Sequence, residues 1–164
     1  MNIIDKNIFE SDATLILIPA DCTGVMENDI AKEVKEKFPR VFSYYKSICN
    51  GYKRNNAEKD LLGKAQIVSA YEAWQIDKPE DSCLKIANLF FLKKYGDGQK
   101  YIDYIALRKC LEEVKKECKD DIIAVPYNMG CIKFSENWNT VWKMIEEILN
   151  GCNVTIYRYN SKQN

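Results

Sequence analysis

The sequence predicts a three-layer α/β protein, with a mixed, mostly parallel sheet of about six strands and helices on both faces. Apolar runs of strand length alternate with stretches in which apolar residues recur every three or four positions, as on one face of a helix. Several of these runs are apolar throughout, as expected for parallel strands covered on both faces. The 164 residues show no repeat and no linker, so we expect one domain over residues 1–160 and a frayed tail over 161–164.

The N-terminal half contains the unit around which the chain is arranged: a strand over residues 14–19, a polar turn over 20–29 and a helix over 30–38. Apolar residues on one face predict the helix, and Pro39 predicts its end. A strand–loop–helix unit can direct backbone N–H groups and a helix N-terminus at an anionic ligand. It can equally be an ordinary crossover without a ligand. The order of the elements leaves both interpretations open.

The remaining elements are predicted from the same two patterns: apolar runs of strand length, and apolar residues at every third or fourth position. Strands are predicted at residues 2–4, 65–71, 84–91, 122–125 and 154–159. Helices are predicted at residues 41–49, at 103–118 with Asp103 as the cap, and at 138–149 with Gly151 just beyond the end. Polar connections are predicted at residues 5–12, 52–63, 75–82, 93–98 and 126–137.

Charge and hydropathy argue against several kinds of partner. The chain has 24 basic and 24 acidic residues, so there is no electrostatic sign of general nucleic-acid binding or of attraction to an anionic membrane. No apolar run approaches the roughly 20 residues that a membrane span needs. The N-terminus also lacks the basic-then-apolar pattern of a signal peptide.

The cysteine and histidine contents restrict the chemistry. Seven cysteines are scattered without metal-ligand spacing, which is typical of free thiols in a reducing cytoplasm. Histidine is absent, so Ser–His and Cys–His nucleophile pairs are excluded, and any catalysis must use Asp, Glu, Lys, Cys, Tyr or water. We therefore predict a cytoplasmic protein with no metal site and no cofactor.

Four segments in order resemble the macrodomain family, in the branch that removes or recognises terminal ADP-ribose. Residues 21–31 (DCTGVMENDIA) match a family loop of the form N-x-x-G-V-M-G-x-G-I-A without a gap. Residues 87–90 (ANLF) and 101–107 (YIDYIAL) match a strand end and a helix start of that family. Residues 126–138 (PYNMGCIKFSENW) match its second glycine-rich loop in length. The resemblance covers nearly the whole chain and implies the macrodomain fold.

The resemblance also implies a set of ligand-contacting residues, because macrodomains hold the ADP-ribose diphosphate between these two loops. Asp21 stands where the family has an Asn that contacts the distal ribose, and Asn7 aligns with an early acidic residue that recognises adenine. The ligand-contacting residues implied in this way are Asn7, Ile8, Asp21, Cys22, Thr23, Gly24, Val25, Met26, Asn28, Met129, Gly130, Cys131, Ile132, Lys133, Phe134 and Ser135.

Both loops depart from the family pattern. Two glycines of the first loop are Glu27 and Asp29, and four of the second loop are other residues, among them Phe134 and Glu136. Glycine lets the backbone approach a phosphate without a Cβ in the way. Added carboxylates oppose an anionic ligand by about 1–4 kcal/mol at a few ångströms, depending on exposure. Phe134 can stack on a sugar or base, or it can fill space that glycine leaves empty.

Three functions follow from these departures. The favoured one is a binding module for ADP-ribose, or a related nucleotide ligand or ADP-ribosylated macromolecule, with reduced or lost turnover. The first alternative is a hydrolase that removes terminal ADP-ribose or a 1″-phosphate. In it Asp21 is the catalytic base, although a loop carboxylate more often caps backbone N–H groups. The second alternative is a protein-interaction domain without a ligand.

Overall fold

A seven-stranded sheet forms the middle layer of the molecule. The computed structural model describes residues 1–27, 29–94, 99–131 and 137–159, with only the backbone of Asp29 and Glu80. The strands are β1 (Asn2–Ile4), β2 (Leu15–Asp21), β3 (Ala65–Ser69), β4 (Lys85–Lys94), β5 (Lys100–Ile102), β6 (Ile122–Pro126) and β7 (Asn153–Tyr157). The helices are α1 (Asp29–Lys37), α2 (Pro39–Arg54), α3 (Glu58–Leu61), α4 (Tyr104–Cys118) and α5 (Trp138–Ile148).

The strand order is β1-β7-β6-β2-β4-β3, and β5 pairs with the end of β4. The first five strands of that order run parallel, whereas β3 and β5 are antiparallel to β4. This is the mixed, mostly parallel sheet that the sequence predicted. The parallel arrangement brings the carboxyl ends of β2, β6 and β7 to one edge, which is where α/β proteins bind ligands.

Strand β2 explains why the core has two halves. Its side chains alternate between the two faces of the sheet, and both faces are covered. Leu15 and Leu17 pack with α4 and α5 on one face, and Ile16 and Ile18 pack with α1 and α2 on the other. All four residues are at most 1% exposed. The continuous apolar run in the sequence therefore corresponds to a strand buried between two helical layers, and the predicted three-layer architecture is confirmed.

Two of the connections that the sequence predicted as loops contain strand or α-helix. Strand β4 continues to Lys94, and β5 turns back along it with Lys94 opposite Lys100. Within the predicted loop 52–63, α2 continues to Arg54 and the single turn of α3 follows. Pro39 separates α1 from α2 as predicted, but it does so as the first residue of α2, where its missing N–H costs nothing.

A β-bulge sets the geometry at the carboxyl end of β2. Ala20 lies opposite Phe90, but the next residue, Asp21, lies opposite Leu92, so β4 has one extra residue at this point. Such a bulge bends the strand and redirects the side chains beside it. The carboxylate of Asp21, at the end of the apolar run of β2, thereby lies at the base of a cleft.

Candidate functional site

A cleft of about 420 Å³ opens at the carboxyl ends of β2, β6 and β7. It lies between the loop after β2 and the loop after β6, and it extends to the 3₁₀ turn at Ile8–Glu10. Residues of the first loop and the described residues 127–131 of the second loop line the same cleft, in agreement with the resemblance. Of the predicted ligand-contacting residues, those that line the cleft are Asn7, Ile8, Asp21, Val25, Met26, Met129, Gly130 and Cys131.

The other predicted residues do not line the cleft or lie outside the described chain. Cys22, Thr23 and Gly24 are described but do not line the cleft, and the bonds of Thr23 to Asp21 and of Gly24 to Tyr45 hold the first loop in place. The predictions for Asn28, Ile132, Lys133, Phe134 and Ser135 fall outside the described residues. The role of each predicted residue toward a ligand stays a prediction.

Asp21 forms the floor of the cleft and is 4% exposed. Its Oδ1 accepts hydrogen bonds from the backbone N–H of Thr23 at 2.8 Å and from the Thr23 hydroxyl at 2.5 Å. This is the local turn that an Asp side chain forms with the residue two positions on. The hydroxyl of Tyr45 lies 3.0 Å from the same oxygen. One oxygen of the carboxylate is thus fully used within the protein.

The second oxygen of Asp21 is paired with a cation that the sequence did not indicate. The ammonium of Lys100 contacts Oδ2, and the Lys100 side chain, which is 20% exposed, also lines the cleft. Strand β5 makes this pairing possible because its antiparallel register on β4 places Lys100 beside the end of β2. A buried carboxylate is costly unless it is paired and hydrogen-bonded, and here it is both.

These contacts determine the ionisation of Asp21. Burial disfavours the charged form, but the hydrogen bonds from Lys100 and Thr23 outweigh burial and hold the pKa of Asp21 below its ordinary value. A carboxylate with a lowered pKa and with donors on both oxygens is a weak general base. The geometry therefore supports a structural, charge-paired role for Asp21 rather than proton abstraction.

The first loop is fastened to α2 at two points. The backbone N–H of Gly24 donates to the Tyr45 hydroxyl at 3.2 Å, and the Lys53 ammonium donates to the carbonyl oxygen of Thr23. Gly24 has φ +83°, which a glycine adopts without strain. Because its N–H is already bonded inside the protein, Gly24 serves the shape of the loop in this structure.

Tyr45 is the central residue of this network and another one that sequence reasoning missed. Its ring stacks on Phe90, with centroids 5.9 Å apart, and its residue surface is 1% exposed. Burial and the nearby Asp21 carboxylate raise the pKa of Tyr45, so the hydroxyl stays protonated. It therefore remains available as a donor to Asp21 and as an acceptor for Gly24. The position of Tyr45 on the buried face of α2 indicates that its ring packs in the core, but it does not indicate a hydrogen-bonding role for the hydroxyl.

The second loop begins with a tight turn after β6. Asn128 and Gly130 both have positive φ, +58° and +76°, and the N–H of Cys131 bonds to the carbonyl of Asn128 at 2.9 Å. A Cβ added to Gly130 would lie 2.7 Å from the Phe91 ring, which is closer than a Cβ approaches other atoms in folded proteins. Gly130 is thus required both by its backbone conformation and by the close approach of Phe91.

The outer end of the cleft is aromatic. Arg158 makes a two-point ion pair with Asp5, at 2.6 and 3.0 Å, and its guanidinium lies 5.6 Å from the centre of the Tyr127 ring. Tyr127, Arg158 and Tyr159 all line the cleft at this end. Asn7 lies at the same end, where its side-chain oxygen caps the 3₁₀ turn by accepting the Phe9 N–H at 3.0 Å. The carbonyl keeps a second lone pair.

The charges along the cleft walls are mixed. Glu27 and Glu33 line the side formed by the first loop and α1, whereas Lys100 and Arg158 lie at the two ends. Both cations are already paired with carboxylates. Lys93 and Lys94 are exposed at the end of β4 and do not line the cleft.

Two thiols close to Asp21, those of Cys22 and Cys49, are protonated. Burial raises the pKa of Cys22 to about 12 and that of Cys49 to about 11. Because the thiolate is the reactive form, neither is an activated nucleophile. In the described part of the chain no group of three potential ligand side chains (His, Cys, Asp or Glu) is placed to hold a metal ion. No helix within the described ranges is long and apolar enough to cross a membrane.

Comparison with solved structures shows that the chain has the macrodomain fold. It is similar to the macrodomain of Mycobacterium tuberculosis DarG (TM-score 0.70, 20% identity, 98% of this chain and 97% of that one). The macrodomain of Thermus aquaticus DarG is similar to the same degree (TM-score 0.69, 18% identity, 97% of each chain). Thermosipho africanus DarTG, solved in complex with ADP-ribose, matches 99% of this chain over 42% of its own (TM-score 0.67, 20% identity). The sequence matches no protein-family model and none of the curated proteins.

Proposed function

We propose that this chain is a binding module for ADP-ribose or a closely related nucleotide-derived ligand, with hydrolysis lost or strongly reduced. The observation that carries the proposal is the cleft of about 420 Å³ between the loops after β2 and β6, at the carboxyl ends of parallel strands. Its position on a macrodomain fold supports the choice of ligand, because Thermosipho africanus DarTG has this fold and was solved with ADP-ribose.

The two ends of the cleft suggest how such a ligand lies. Flat bases stack on aromatic rings and guanidinium planes, and the outer end offers Tyr127, Tyr159 and Arg158. The polar floor at Asp21 and Lys100 suits a hydroxylated or charged terminal group. We therefore place the base at the outer end and the terminal sugar at the floor. The same arrangement admits either a free ligand or one attached to a macromolecule.

The wall charges predict modest affinity. Glu27 and Glu33 line the side along which a diphosphate passes, and a diphosphate repels carboxylates. No uncompensated cation offsets them among the described residues that line the cleft, because Lys100 and Arg158 each face a carboxylate. Plain ADP-ribose is therefore expected to bind weakly.

The floor chemistry supports low turnover. Hydrolysis needs a base for the attacking water, and the carboxylate at the floor is hydrogen-bonded on both oxygens with a lowered pKa. The absence of histidine removes the usual alternative. We propose that hydrolysis of ADP-ribosylated protein and of ADP-ribose-1″-phosphate is near background. Robust turnover that disappears in Asp21→Ala, with binding retained, would instead establish the hydrolase.

Titration calorimetry with ADP-ribose tests the binding proposal. Ala31 lines the cleft, so Ala31→Phe should block binding, and Ile105→Phe on the exposed side of α4 is the matched control. Binding that is lost in Ala31→Phe and kept in Ile105→Phe supports the proposed cleft. No binding of ADP-ribose by the unaltered chain would leave the protein-interaction domain as the better interpretation.

Two further points belong to the same proposal. All seven cysteines are free, including the exposed Cys83, which is consistent with a reducing compartment, and we propose the cytoplasm. The two core halves share one sheet, so we propose that residues 1–160 act as one domain.

A further inference from the structure

The floor of the cleft contains a carboxylate and an ammonium whose hydrogen-bonding capacities differ. Asp21 receives the Thr23 N–H and hydroxyl on Oδ1, has the Tyr45 hydroxyl within 3.0 Å, and is paired with Lys100 through Oδ2. Asp21 is almost wholly enclosed by these partners, at 4% exposure. Only Oδ2 keeps an unused acceptor position, and the low exposure of Asp21 leaves a ligand hydroxyl little access to it. Asp21 is therefore poorly available to a ligand.

Lys100 is in the opposite situation. A lysine ammonium carries three N–H donors, and its contact with one carboxylate oxygen needs only one of them. The Lys100 side chain is 20% exposed, and the space it faces is the cleft. Lys100 can only donate hydrogen bonds, so the ligand atom that meets it must be an acceptor. An anionic oxygen is the strongest acceptor for an ammonium.

We infer that Lys100 is the ligand-contacting cation of the cleft floor and selects ligands whose terminal group carries an anionic oxygen. Asp21 has the role of a positioning residue, because it holds the ammonium at the floor. The inference rests on the proposed function, since the aromatic outer end fixes which end of a nucleotide ligand reaches Lys100. It assigns a specificity determinant on β5, a strand that the sequence pattern did not predict.

The test compares two probes that differ only at the terminal group, ADP-ribose and ADP-ribose-1″-phosphate, by titration calorimetry. Hydrogen bonds to charged groups are stronger than neutral ones, so we expect the unaltered protein to bind the 1″-phosphate roughly tenfold more tightly or better. Higher ionic strength should reduce the preference in part, because salt screens the attraction between the ammonium and the phosphate where the cleft is open to solvent.

Two variants separate the ligand contact from the structural pair. Lys100→Arg keeps a cation that can pair with Asp21 and should keep a preference for the 1″-phosphate. The double variant Asp21→Asn with Lys100→Gln replaces the ion pair by two amides, avoids an unpaired buried charge, and should bind the two probes within about twofold of each other. Urea unfolding of each variant verifies that it is folded.

The possible outcomes lead to different conclusions. A preference in the unaltered protein that is kept in Lys100→Arg and lost in the double variant supports the role of Lys100. Equal binding of both probes by the unaltered protein overturns the inference and leaves the binding module intact. A preference that survives in the double variant also overturns it, because another residue then selects the anion. Absence of binding to either probe overturns the proposed function together with the inference.

Discussion

Lys100→Met isolates the energetic role of the floor ion pair. The substitution removes the ammonium and keeps a side chain of similar length, so Asp21, at 4% exposure, loses its counter-ion. Removing one partner of a buried pair typically costs roughly 3–5 kcal/mol. Lys100 is 20% exposed and Thr23 still donates to Asp21, so we expect a smaller loss of about 2–3 kcal/mol at neutral pH. For a chain of this size that lowers the Tm by about 5–10 °C.

The loss of stability in Lys100→Met should become smaller as the pH falls. The pKa of Asp21 in the folded protein is below its ordinary value, so the ionised pair stabilises the fold above the unfolded-state pKa. That stabilisation is lost as the pH falls through the folded pKa. In Lys100→Met, burial disfavours the charged form of Asp21 and no ammonium offsets it. Protonation of Asp21 then removes an unpaired buried charge. The difference in unfolding free energy between variant and unaltered protein should therefore shrink from about pH 7 to about pH 4.

Urea unfolding at both pH values measures this difference, with coincident fluorescence and circular dichroism transitions as the check on two-state behaviour. Lys85→Met is the matched control. It breaks the Lys85–Asp121 pair (2.7 Å) at the opposite end of β4, where Asp121 is more exposed than Asp21. The control should lose less stability. An equal loss in both variants, or a loss that is the same at both pH values, would refute the claim that burial of Asp21 sets the cost.

Three further predictions test the two loops and the contact that holds the first loop to α2. Gly130→Ala should cost about 2–4 kcal/mol in urea unfolding, against about 1 kcal/mol for Gly151→Ala. Both glycines have positive φ, but only at Gly130 would the new Cβ meet an aromatic ring, so equal losses would contradict the steric argument. Tyr45→Phe should destabilise by about 1–2 kcal/mol because it leaves a buried N–H without its acceptor, and an unchanged urea midpoint would count against that bond. Glu27→Gly combined with Asp29→Gly removes two acidic side chains from the first loop and should tighten ADP-ribose binding severalfold in calorimetry, whereas unchanged or weaker binding would mean that these carboxylates do not act on the ligand.

The buried strands were predictable because their signal is local. The run of β2 is apolar on both faces, and a strand with two apolar faces has to lie between two covering layers. Helix α4 is equally clear, since Asp103 caps it through the N–H of Ala106, at 2.9 Å, as its position in the sequence suggested. These features depend on residues within one element, and sequence periodicity reports them directly.

Strand β5 was not predictable in the same way. Its three residues, Lys100–Ile102, are too few to show an alternation of apolar and polar positions. The strand forms because it pairs with the end of β4. Lys100 was missed with it, because nothing local shows that its ammonium meets Asp21 from a distant part of the chain. The contact forms only in the folded chain, and in the sequence nothing distinguishes Lys100 from the other lysines.

Gly130 shows a different limit of the sequence. The resemblance to macrodomains attributes a glycine at this position to phosphate binding, and the structure gives it a second reason, the close approach of the Phe91 ring. Both reasons call for the same residue. The presence of the glycine therefore does not show that a phosphate is bound, and only a measurement on the ligand separates the two.

The identity of Asp21 has a consequence that reaches beyond its own position. An amide at the end of β2 can both donate and accept, and it can be buried without a counter-ion. A carboxylate there only accepts, and its burial requires a cation close by. Lys100 meets that requirement, so the floor of the cleft offers an ammonium to a ligand in place of an amide. With the inferred role of Lys100, the described part of the floor donates hydrogen bonds to a ligand, whereas an amide at the position of Asp21 could exchange them in both directions.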